Sequence, residues 1–234
     1  KTLRNDNSSR FGKFIEIQFN VNGVISGAFL YTYLLEKSRV TKQTTGERNF
    51  HIFYQLIDSC TDEEREELLQ HKRVHDFYYL SQSEEYYIEG VSDAEMYEQT
   101  RLAMSSVNIT ESDQKAIRRV LAAILHFGNV SFASIDADSC SIVDYEPLNK
   151  ACQLLNLDST LIANTFLTRK VVAGRDSYTT PLKVEQAESC RDALAMLLYS
   201  RTFDWIVKRM NESINNPSQA KYTIGVLDIY GFES

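Results

Sequence analysis

The stretch from Val184 to Ile214 constrains the fold more than any other part of the chain. Leu194, Leu197, Leu198, Trp205, Ile206, Met210 and Ile214 recur at spacings that keep one side apolar, which predicts a single long, mostly buried helix. Asn215-Asn216-Pro217-Ser218 ends it. The β-prone run Tyr222-Thr223-Ile224-Gly225-Val226-Leu227 then reads as a buried strand with Asp228 at its carboxyl end, and Ile229-Tyr230-Gly231-Phe232-Glu233 follows. An acid so placed, with a glycine three residues on, suits the sensing of a γ-phosphate. The acid can hold a Mg²⁺-bound water, and the glycine lets a backbone N–H come close.

The opposite end of the chain offers a matching feature. Asn5-Asp6-Asn7-Ser8-Ser9-Arg10-Phe11-Gly12-Lys13 is a polar loop that runs into Phe14-Ile15-Glu16-Ile17-Gln18-Phe19, whose alternation predicts a half-buried strand. Ser and Asn oxygens can coordinate a hard cation such as Mg²⁺, and an arginine fork suits a phosphate or a carboxylate. The same residue types are also ordinary turn formers and helix caps, so the loop alone allows a purely structural reading.

Bulk properties narrow the class. The 234 residues can bury a sizeable core, and a net charge of −7 argues against a general nucleic-acid binder. No apolar run is long enough for a transmembrane helix, and Lys1-Thr2-Leu3-Arg4 is not the start of a signal peptide. Cys60, Cys140, Cys152 and Cys190 lack C-x-x-C spacing, so free thiols in a reducing compartment are expected rather than a metal site or a disulfide framework. A start at Lys1 and a stop at Ser234 are expected of an internal piece of a longer protein.

Between the two ends the elements can be placed in order. Asn20-Val21-Asn22-Gly23 signals a tight hairpin turn, with a return strand over Val24 to Tyr33 and a bulge at Gly27-Ala28. Glu47 to Ile57 has Phe50, Phe53, Tyr54 and Ile57 at helical spacing. Thr61, Ser92 and Thr110 each precede acids in the manner of helix caps, giving helices that start near 62, run over 93–107, and run from 111 to 127. His51 and His126 lie beside apolar stripes without a second ligand at metal spacing, and a structural role is expected for both. The aromatics at Phe77, Tyr78, Tyr79, Tyr86 and Tyr87 sit among Glu84, Glu85 and Glu89, which favours packing over base stacking. Ser131 to Val143 reads as an exposed turn, 148–155 and 159–166 as short helices, and 168–178 as an exposed hairpin.

The first motif resembles switch I of the myosin motor domain, and Asp228-Ile229-Tyr230-Gly231-Phe232-Glu233 resembles its switch II. Kinesins share the Ser-Ser-Arg core, but their second motif differs. Tyr33 to Val40, Glu47 to Tyr54, Ile124 to Asn129 and Arg191 to Ala195 are similar to myosin in the same order, so the resemblance covers essentially the whole chain. Tyr230 is closer to unconventional myosins. The resemblance implies an α/β fold of P-loop NTPase type, in which a mostly helical upper actin-binding region accompanies strands of the central sheet.

That resemblance also implies roles. Asn5 and Asn7 would contact the nucleotide, Ser8 would position the attacking water, and Ser9 would ligate Mg²⁺. Asp228 would hold the metal through water, and the N–H of Gly231 would donate to the γ-phosphate. Arg10 and Glu233 would form a salt bridge that closes the phosphate pocket. Arg169, Lys170 and Arg175 would lie in an actin-binding loop, in which Asp176 occupies a position that must be acidic or phosphorylatable. The 131–143 segment would be a second actin-facing loop. The implied cofactors are ATP and Mg²⁺. The implied partners are actin filaments, with light chains or calmodulin on a lever arm beyond these residues, and the implied location is the cytoplasmic actin cytoskeleton. No Gly-x-x-x-x-Gly-Lys-[Ser/Thr] loop occurs in the sequence, so these residues alone are expected to be inactive. The alternative is an actin-binding pseudo-motor without ATP turnover.

Overall fold

The computed structural model describes residues 10–173 and 176–229, with the side chains of 172, 173 and 176 left out of the description. Strands β1 (Gly12–Phe19) and β2 (Ile25–Tyr33) form an antiparallel hairpin. Asn20 shapes its turn, because Oδ1 accepts from the N–H groups of Asn22 and Val24 at 2.9 and 3.0 Å. Gly23 supplies the positive φ of +73°.

The expected bulge is present one residue away. Gln18 lies opposite Gly27 and Phe19 opposite Ile25, which leaves Ser26 as the extra residue. Gly27 is small for a different reason. A Cβ there would come within 2.7 Å of the Ile214 carbonyl and the Gln18 amide oxygen.

The helical body follows. Helix α1 runs over His51–Ser59, four residues later than the apolar spacing suggested. Glu47, Arg48 and Asn49 are occupied in tertiary contacts instead, with the Asn49 amide donating to the carbonyls of Val40 and Tyr79 at 2.9 Å each. Helix α2 (Asp62–Leu69) opens with the Thr61–Glu64 capping box, and the short α3 covers Tyr78–Ser81. Ser92 caps α4 (Asp93–Ser106), and Thr110 with Asp113 caps α5 (Glu111–Gly128).

Phe53, Tyr54, Phe77, Tyr79, Phe127 and Phe166 are fully buried, each contributing about 1.5–3 kcal/mol by leaving water. The aromatic cluster is split: Phe77 and Tyr79 enter this core, whereas Tyr78 and Tyr87 remain exposed.

The 131–143 turn is itself a small hairpin, β3 (Phe132–Ser134) with β4 (Cys140–Ile142). Helices α6 (Glu146–Leu155) and α7 (Ser159–Leu167) lead to a second hairpin, β5 (Thr168–Ala173) with β6 (Asp176–Pro181). Helix α8 then spans Val184–Ile214, the bounds that the apolar pattern predicted. Its burial corrects the expectation. Only Ala187, Arg191, Ala195 and Ser200 are buried, and Leu197 is 51% exposed. The helix lies across the body with Leu194, Leu198, Tyr199 and Ile206 only partly buried against the core, and Tyr199 stacks on Phe50 with centroids 4.6 Å apart.

Strand β7 (Tyr222–Asp228) returns to pair with β1, giving the order β2-β1-β7. It too departs from expectation, being exposed along its whole length among the described residues.

Two polar locks join α8 to the sheet. The Asn211 amide accepts from Leu30 N–H at 2.7 Å and donates to Leu30 C=O at 2.8 Å, substituting for a neighbouring strand. Gln18 donates to Asn215 Oδ1 at 2.7 Å and accepts from Asn216 N–H at 2.9 Å.

Candidate functional site

Strand pairing brings Lys13, the last residue of the first motif, beside Asp228, the first residue of the second. Because β1 and β7 are antiparallel, the start of one faces the end of the other, with Lys13 opposite Asp228. The Lys13 ammonium lies 3.1 Å from Asp228 Oδ2, and the Asp228 side chain is 51% exposed. A half-exposed carboxylate at a strand end is a hard oxygen donor that could hold a cation through water, so it fits the Mg²⁺ role. Among the described residues no group of three or more His, Cys, Asp or Glu forms a metal cage.

Arg10 sits where β1 begins. Its carbonyl accepts from Glu36 N–H at 2.9 Å, and the ring of Phe11 packs edge-on against Phe203 with centroids 4.9 Å apart. The guanidinium contacts Glu47 at 3.4 Å and Glu36 at 3.6 Å. The predicted bridge to Glu233 lies outside the described residues, as do Asn5, Asn7, Ser8, Ser9 and Gly231.

Burial would raise the Glu47 pKa, but the Arg39 hydrogen bond and charge outweigh it and hold the carboxyl below its usual range. The acids around Arg10 were not foreseen as site residues. Only their place within the segments similar to myosin could have marked them.

The hairpin candidates stand apart from this end. Arg169 and Lys170 are exposed on β5, while Arg175 and the Asp176 side chain are outside the description. The hairpin joins the start of α8, and the sheet is locked to its end; a helix of 31 residues separates them by about 46 Å along its axis. Lys183, at the base of this hairpin, pairs with Asp138 of the 131–143 hairpin at 3.0 Å.

Two further singled-out motifs turn out to be packing knots. His126 Nε2 is 2.9 Å from the Leu68 carbonyl, and burial lowers its pKa to about 4, so the ring is neutral and structural as expected. Its neighbour Gly128 admits the Tyr79 ring, which a Cβ would meet at 2.6 Å. Tyr79 in turn donates to Asp192 at 2.6 Å, and Arg191 donates to Asp192 and to the Val130 carbonyl at 2.8 Å each.

The fold and these contacts define a mixed helix-and-strand protein with a three-stranded sheet at one end of α8 and two hairpins at the other, one of which buries Phe132, Cys140 and Ile142. The family model for the myosin head (motor domain) matches residues 1–234, and the chain belongs to that family. It is 49% identical to the Myosin-J heavy chain of Dictyostelium discoideum, with all of this chain aligned to 11% of that protein. It is 47% identical to Myosin-15 of Arabidopsis thaliana and 46% identical to unconventional myosin-Va of Homo sapiens, again over its whole length, covering 15% and 13% of those proteins. The chain therefore spans a small part of the relatives it matches.

Proposed function

We propose that these residues form part of the motor domain of an actin-based motor driven by Mg²⁺-dependent ATP hydrolysis, built on a P-loop NTPase fold. The observation that supports this reading is the β1–β7 pairing, which sets Lys13 at the end of the first motif opposite Asp228 at the start of the second. Asn5 and Asn7 contact the nucleotide, and Ser8 orients the attacking water. Ser9 and Asp228, the latter through water, would hold the metal. Bound Mg²⁺ neutralises charge on the phosphates. The Gly231 N–H would donate to a γ-phosphate oxygen, and Arg10 with Glu233 would close the pocket; a bidentate pair of this kind forms only when both loops are in place.

Arg169, Lys170, Arg175 and Asp176 face actin, and at Asp176 the required negative charge is built in without phosphorylation. The complete protein works in the cytoplasmic actin cytoskeleton, carrying light chains or calmodulin on a lever arm.

The test is Arg10→Ala in the complete motor. ATP binding is retained and single-turnover hydrolysis is lost; normal hydrolysis would refute the assignment. A motor that binds actin but fails to turn over ATP with Arg10 intact would instead be a pseudo-motor.

A further inference from the structure

Two arginines and two glutamates meet beside β1. Arg39 holds the inner position, with its side chain 5% exposed. Its Nε donates to Glu36 at 2.8 Å, one Nη donates to Glu47 at 2.7 Å, and the other donates to the Arg48 carbonyl at 2.9 Å. Arg10 holds the outer position against the same two carboxylates, 24% exposed and at 3.4–3.6 Å. Its main chain is fixed by the Glu36 N–H and by Phe11 on Phe203, so only the side chain needs to swing.

The charges make this exchange cheap. If Arg10 leaves, Arg39 still touches both glutamates, and neither carboxylate loses its cation. Contacts of such length and exposure hold weakly. We infer that Glu36 and Glu47 are positioning residues that compete for the Arg10 guanidinium and thereby set how often it is available to close the phosphate pocket. The inference rests on the role of Arg10 proposed above. Glu47 also stays ionised at neutral pH, because Arg39 and Arg10 offset the effect of its burial.

The experiment uses the complete motor with Glu36→Gln and Glu47→Gln made separately. Each removes one charge, keeps an amide oxygen for Arg39, and leaves the other carboxylate in place. The expected result is an unchanged ATP-binding rate with the hydrolysis step about three-fold faster, within what a partly exposed ion pair can supply. General loosening of the fold would slow that step and lower the melting temperature together. A folded variant with an unchanged or slower step overturns the inference, and so does loss of folding in both, which would make the acids structural partners of Arg39. Normal hydrolysis by Arg10→Ala would defeat the functional reading itself. Loss of hydrolysis there, with unchanged rates in the glutamine variants, defeats this inference alone.

Discussion

At the scale of single residues, burial decides what a charged or titratable group does. Arg48 and Asp93 are 3% and 4% exposed and pair at 2.6 Å, with the guanidinium 3.7 Å above the Tyr54 ring. Asp93→Ala leaves that cation without its carboxylate and should cost on the order of 3–5 kcal/mol. Arg48→Met with Asp93→Leu removes both charges and should cost far less, which denaturant midpoints will distinguish.

His126 gives a pH dependence whose sign follows from its lowered pKa. Between pH 6.5 and about 4 the unfolded chain takes up a proton that the folded chain refuses. Stability is therefore fully present above pH 6.5 and falls by roughly 3 kcal/mol as the pH drops through that window. His126→Gln, which keeps a donor for the Leu68 carbonyl, should flatten this part of the pH profile. An equally steep profile in the variant would assign the acid sensitivity to other groups.

At the scale of elements, polar side chains tie the end of α8 to the sheet, in addition to the packing of Phe203 on Phe11. Asn211→Ala removes both bonds to Leu30 and should destabilise by about 2 kcal/mol. Faster hydrogen exchange at the Leu30 amide will read this locally, and unchanged exchange would show that another group caps that edge.

The caps at Thr61, Ser92 and Thr110 and the bounds of α8 were legible in the sequence, because capping and apolar spacing are local properties. The start of α1 was not. Residues 47–50 fit the helical spacing, but their polar groups find better partners across the fold.

At the scale of the whole molecule, α8 separates the three-stranded sheet from two hairpins linked through Asp138 and Lys183. If the hairpins face actin, Arg169→Glu with Lys170→Glu in the complete motor should weaken actin affinity by ~10-fold at low salt and less at high salt. ATP hydrolysis in the absence of actin should be unaffected. Equal affinity at both ionic strengths would remove these residues from the interface.

The sequence by itself determined the family, the order of elements and the caps, since each rests on neighbouring residues or on spacing along one element. Only the tertiary structure decided which groups meet. It placed Lys13 against Asp228, gave Arg10 the carboxylates of Glu36 and Glu47, and buried Arg48 with Asp93. It also left α8 only partly buried. These contacts join residues brought near only by the folded chain, and their strength depends on distance and exclusion of water, neither of which local spacing encodes.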